Sequence, residues 1–191
     1  MYTIVTTPSP ILIGKTKRVT HFDRKLHEIL KNMHDTLVAT TDPVGVGLAA
    51  PQVGLPIKIF QMKPTGKAMV TSFINPEIIA TSHELSVPAF TNSKKIEAKK
   101  PRKGKLLEGC LSIPNIWGHV TRKKEVKLSW QDEEGKKHTK EFLGFPAVII
   151  QHEMDHLQGV LFTKHVMEQK EKLYKSSKDE EGADVFDEIK I

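Results

Sequence analysis

Residues 151–156, QHEMDH, constrain this chain more than any other stretch, because they set two imidazoles four positions apart with a carboxylate directly after the first. Four residues are slightly more than one helical turn, so on a helix His152 and His156 share a face and stand close enough to hold one ion. In an HExxH helix the glutamate stays outside the ligand set and takes a proton from the water that the site activates. Glu153 has that position here. The surrounding GFPAVIIQHEMDHLQGVLF suits a helix, since Pro146 fits a first turn, where a missing N–H costs nothing, and Gly159 can end it. Phe145, Val148, Ile149 and His152 recur at spacings of three and four, an apolar stripe on the ligand side. Periodicity does not separate a core stripe from the wall of a pocket.

Two imidazoles leave a catalytic site one protein ligand short. The sole cysteine, Cys110, can supply it from EGCLSIP, residues 108–114, where it follows a glycine that lets backbone come close. A single thiol excludes an internal disulfide and fits a reducing compartment. Thiolate with imidazoles suits zinc or ferrous iron and disfavours magnesium and calcium. Upstream, Gly45 and Gly47 in GVGLAAPQVG allow main chain to approach a ligand, and Gln52 offers an amide donor. Glu108 and Asp155 are acids beside the ligands, with Arg122 the nearest downstream arginine to pair with either; such carboxylates orient metal-bound imidazoles.

The rest of the chain supplies the frame. Leu26, Ile29, Leu30, Met33, Leu37 and Val38 follow a helical period, with Thr20 and Asp23 as N-cap and capping-box-like acid, and TTDP at its end. PIKIF and AMVTSFINPEII predict two strands, and EVKLSWQDEEGKKHTKEFL a hairpin turning at Gly135. Strands first and a long helix after them predict an α+β domain, the helix against one face of a mainly antiparallel sheet. A length of 191 residues suits one domain, taken as residues 1–170. No apolar run approaches the roughly 18 residues that cross a bilayer, and the start lacks the order of a secretory signal, so a cytoplasmic location is expected.

GVGLAAPQ, EGCLSIP and QHEMDHLQG stand in the order and form of the three motifs of peptide deformylases, and IVTTPSPIL resembles that family's start. The resemblance runs from about residue 4 to about residue 165. It implies the deformylase fold, with a central HExxH helix among antiparallel strands, and a hydrolase that removes the N-formyl group from the N-terminal formylmethionine of new polypeptides and releases formate. It also implies that Cys110, His152 and His156 bind one divalent metal, Fe2+ above Zn2+, Ni2+ or Co2+. Glu153 would be general base and then acid, and the Gln52 side chain and Leu111 backbone N–H would hold the formyl oxygen. Gly45, Val46, Gly47 and Gly109 would pair with substrate main chain, and Val46, Phe145, Val148 and Ile149 would line the methionine pocket.

The chain departs from that pattern twice. An insertion at about 81–106 carries KKIEAKKPRKGK, with seven Lys or Arg against one Glu, and would contact ribosomal RNA through phosphate neutralisation. Residues 171–191 are polar and net acidic, with six acids and one lysine in 179–191, which argues against docking through the tail. The plain reading of these two segments is a solvated loop and a frayed tail. Two other functions compete: an HExxH endopeptidase, for which His165 is the nearby downstream ligand, and a metal-stabilised basic binding module without catalysis. Retention of both Glu153 and Gln52 disfavours the second.

Overall fold

The computed structural model describes residues 1–66, 68–86 and 107–190. Helix α1 (Arg24–Ala39) leads to strands β1 (Gly47–Ala49), β2 (Ile59–Met62), β3 (Thr71–Thr81) and the short β4 (Leu85–Ser86). Strands β5 (Leu107–Cys110), β6 (Ile113–His119) and β7 (Arg122–Lys123) follow, then β8 (Glu125–Gln131) and β9 (Lys137–Leu143). Helices α2 (Phe145–Leu157) and α3 (Phe162–Glu168) precede a last hairpin, β10 (Leu173–Lys178) and β11 (Asp184–Glu188). All pairs of these strands are antiparallel, in the orders β1-β2-β3-β8-β9 and β11-β10-β6-β5, with β4 on β7. The architecture is α+β.

Side-chain alternation explains how the first sheet is covered. Along β2, Phe60 and Met62 join Ala147, Ile149 and Ile150 of α2, whereas Ile59 joins Leu30, Met33 and Leu37 of α1. The sequence-based expectation of a helix on one face is therefore incomplete: α1 covers the opposite face, and β2 is buried along its whole length. Phe60 stacks on Phe73 of β3 at 4.6 Å, and Phe73 meets Trp130 of β8 at 5.1 Å. Burial of α2 residues such as Ile149 and Ile150 contributes about 1.5–3 kcal/mol each, which seats the helix that carries the histidines.

Three expectations are corrected. The N-cap of α1 is Asp23, whose carboxylate accepts the Leu26 N–H at 3.0 Å; Thr20 instead bonds His21, too far from the first turn to cap it. Val38 lies off the buried face, 45% exposed. The acidic C-terminal stretch is not a frayed tail through 188: β10 pairs with β6, and Leu173 packs on the cluster of Ile113, Val120, Phe162 and Val166. Its acids face lysines across the hairpin, Glu188 with Lys172 at 2.6 Å and Asp184 with Lys178 at 2.7 Å, so composition alone hid a paired strand. The basic cluster at 94–105 lies outside the described residues.

The end of α2 is held by the N-terminal segment, where Thr16 Oγ1 donates to the Leu157 carbonyl at 2.7 Å. Gly159 then turns at φ +73°, and a Cβ there would collide with the Ile13 carbonyl. Gly159→Ala is expected to cost at least about 2 kcal/mol, from the left-handed backbone and the clash together. Urea unfolding measures it, and a loss under about 0.5 kcal/mol would show that this crossing adapts freely.

Candidate metal centre and active site

Helix α2 aims His152 and His156 at the end of β5, with ring centroids 4.9 Å apart. A register shift between Gly109 and Cys110 breaks the β5–β6 ladder at this point. Cys110 Sγ lies 3.1 Å from His156 Nε2, and one donor atom from each of Cys110, His152 and His156 falls within 4.8 Å of the others. A thiolate and two imidazoles at that spacing fit one divalent transition ion. Burial alone would push the Cys110 thiol up, but the facing His156 and His152 rings overcome it and bring the pKa down to about 5. That favours the thiolate at neutral pH, the form in which sulfur binds a transition ion.

Behind Cys110, His152 and His156 lies a buried ion network. Glu108, with no exposed surface, accepts from Arg122 Nη2 at 2.6 Å and Nε at 3.1 Å, and its Oε1 lies 2.6 Å from His152 Nδ1. That contact leaves His152 Nε2 for an ion. Arg122 Nη1 donates to Asp155 at 2.6 Å, and Asp155 also meets His165 Nε2 at 2.9 Å. Burial would raise the Glu108 pKa, yet the Arg122 charge and the His152 hydrogen bond hold it at about 2. His152 is raised well above its ordinary value, the contacts to Cys110 and Glu108 outweighing burial.

Glu153 occupies the opposite condition. It is 3% exposed, and burial pushes its pKa up to about 7 despite the two neighbouring imidazoles. Its Oε2, like His156 Nδ1, is a buried polar atom without a hydrogen-bond partner among the described residues. A Cβ on Gly47 would collide with the Glu153 carboxylate, so β1 passes against this acid only because that residue is glycine. Gln52 is anchored by its own Oε1, which accepts the Ala49 N–H at 2.8 Å, and turns Nε2 toward Cys110 Sγ at 3.5 Å and Ser112 Oγ at 3.3 Å. The N-terminal segment ties these pieces together: Val5 N–H donates to the Gln52 carbonyl and Thr7 N–H to the Ser112 carbonyl.

The cleft over this centre is lined by Gly45, Val46, Gly47, Gln52, Gly109, Cys110, Leu111, Ile149, His152 and Glu153. His156 stands beneath it, 1% exposed. Phe145 and Val148 do not line this cleft: Phe145 packs on the cluster around Phe73, and Val148 is 1% exposed. Pro43, Val44 and Trp117 line it without having been singled out in the sequence. Trp117 is brought there by its pairing with Gly109 across β5–β6, a register that no local pattern announces.

Residues 1–172 match the polypeptide deformylase family model, ending one residue before β10. The peptide deformylase of Borreliella burgdorferi is 40% identical over 176 residues, 92% of this chain and 94% of that protein. Peptide deformylase 1 of Bacillus subtilis is 37% identical over 163 residues, 85% and 88% of the two chains. The crystal structure of the Thermotoga maritima peptide deformylase superposes with a TM-score of 0.72 at 34% identity, covering 86% of this chain and 97% of that one.

Arg122→Ala leaves the Glu108 carboxylate buried against one imidazole alone, so a loss of about 3–5 kcal/mol is expected in urea unfolding. Wild-type stability in that variant would mean that solvent reaches Glu108.

Proposed function

The chain belongs to the peptide deformylase family, whose members remove N-formyl groups from new polypeptides, and on that premise we propose which of its residues perform the reaction. Cys110, His152 and His156 hold one divalent ion, Fe2+ by preference, with Zn2+, Ni2+ or Co2+ able to take the same donors. The observation that carries the reading is a buried glutamate with one oxygen unpartnered among the described residues, beside a cluster of one thiol and two imidazoles. Bound there, the ion supplies Lewis acidity and makes a water acidic near neutral pH. Glu153, its pKa near 7, takes a proton from the attacking water and passes it to the departing amine. As the formyl carbon becomes tetrahedral, Gln52 Nε2 and the Leu111 N–H meet the growing charge on its oxygen. The C–N bond then breaks, giving formate and a free amino terminus.

The substrate main chain adds as a strand between two sheet edges. β1 pairs only with β2 and β5 only with β6 among the described residues, so the edge at Gly45, Val46 and Gly47, where the Gly45 N–H is already taken by the Thr40 carbonyl and the Val46 carbonyl by the Lys63 N–H, and the edge at Gly109 are where a substrate strand adds. Val46 and Ile149, with Phe145 and Val148 behind them, form the apolar surface for the methionine side chain. Glu108, Arg122 and Asp155 orient the imidazoles.

HExxH lies on the central helix of a single catalytic domain over residues 1–170, interrupted by the insertion at about 81–106. No helix among the described residues is long and apolar enough to cross a membrane, and a cytoplasmic site of action goes with new polypeptides as substrate. The basic stretch 94–105 makes a salt-sensitive contact with ribosomal RNA. The endopeptidase alternative loses support because His165 is engaged by Asp155 at 2.9 Å and stands outside the cluster of Cys110, His152 and His156.

Formate release from a formyl-Met peptide, with an acetyl-Met peptide as control and iron supplied anaerobically, tests the activity. Glu153→Gln is expected to retain metal and lose turnover, and wild-type rates in it would remove the proposed base. Cys110→Ala is expected to lose metal by elemental analysis; full occupancy would show a different ligand set. Gln52→Ala is expected to lower kcat by about 10²–10³.

A further inference from the structure

The C-terminal hairpin, which lies beyond the residues matched to the family, is built against a wall of the cleft. Trp117 is that wall. Its indole covers Gly109 so closely that a Cβ on Gly109 would stand 2.7 Å from the six-membered ring. From the other side the ring is held twice: Nε1 donates to Ser176 Oγ of β10 at 3.0 Å, and Phe186 of β11 meets it edge-on at 5.8 Å and 88°. Ser176 and Phe186 are partners in the hairpin register, so one rung of the ladder carries both restraints. The same hairpin reaches the opposite rim, where Lys178 lies 4.0 Å from Asp42, the residue before the cleft-lining Pro43.

A tryptophan restrained by a hydrogen bond and an aromatic edge has little rotational freedom left, which makes it a fixed apolar surface for whatever passes over β5. We infer that Trp117 is a specificity-determining residue for the second and third residues of the substrate, and that Ser176 and Phe186 are its positioning residues. This rests on the deformylase reading above, because the peptide must follow β5 outward from Cys110. A formylated dipeptide ends near the metal centre and engages the wall least. Longer peptides with bulky apolar residues after methionine lie against the indole and gain affinity from it.

Steady-state formate release from formyl-Met-Ala and formyl-Met-Leu-Phe tests the inference in the full-length, metal-loaded enzyme. For the tripeptide, Phe186→Ala and Ser176→Ala are expected to raise KM about fivefold with kcat unchanged, a size consistent with loss of an ordered aromatic contact. On formyl-Met-Ala both are expected to stay within about twofold of wild type, as expected for residues outside the contact. Trp117→Ala is expected to raise the tripeptide KM at least as far, and Ser176→Ala is expected to add nothing in a Trp117→Phe background, where the indole donor is gone. Ser176→Ala keeps the hairpin's backbone bonds, so it remains informative if Phe186→Ala disturbs folding. Equal losses on both peptides, a fall in kcat alone, or an unchanged tripeptide KM would overturn the inference. Absence of formate from either peptide with the wild-type enzyme would overturn the deformylase reading itself.

Discussion

Glu108 and Arg122 are buried charges from two different strands, and each is tolerable inside the protein only because the other is there. Their pairing reaches past the two strands. Through His152 and Asp155 it holds one face of α2, and through His165 it reaches α3, so two helices and two strands share a set of charge-assisted contacts. A displacement of α2 along its axis would strand at least one of these charges. The spacing of Cys110, His152 and His156 follows from that requirement, since two of the three are on the restrained helix and the third ends the strand that carries Glu108.

The same architecture leaves two sheet edges pointing into one cleft. β1 can approach the metal centre because Gly47 has no side chain to strike Glu153, and β5 can accept the Trp117 indole because Gly109 has none either. An acid in such a place is cut off from solvent, which is why its pKa rises while that of Glu108, also buried but paired with arginine, falls. One carboxylate is thereby suited to moving protons and the other to holding a ring in place.

The cluster of Cys110, His152 and His156 was legible in the sequence because two of its members are four residues apart on one helix, a local relation, and the third is the sole cysteine. The hairpin β8–β9 and helix α1 were legible for the same reason, each having its period written within one segment. The acidic C-terminal strand β11 was not: its lysine partners come from the other arm of the hairpin, and it is that arm's Leu173 that sits in a cluster drawn from β6, α3 and the turn after β6. Trp117 escaped notice because its neighbours in sequence say nothing about Gly109.

By itself, then, the order of residues determined the local periods, the donor types and the helix on which His152 and His156 stand, since these depend on contacts within a few positions of one another. Only the tertiary structure decided that Arg122 would neutralise Glu108, that Trp117 would line the cleft, and that the terminal strands would brace its wall. Those outcomes depend on strand register and on the cost of burying unpaired charge, which are settled between segments far apart in the chain.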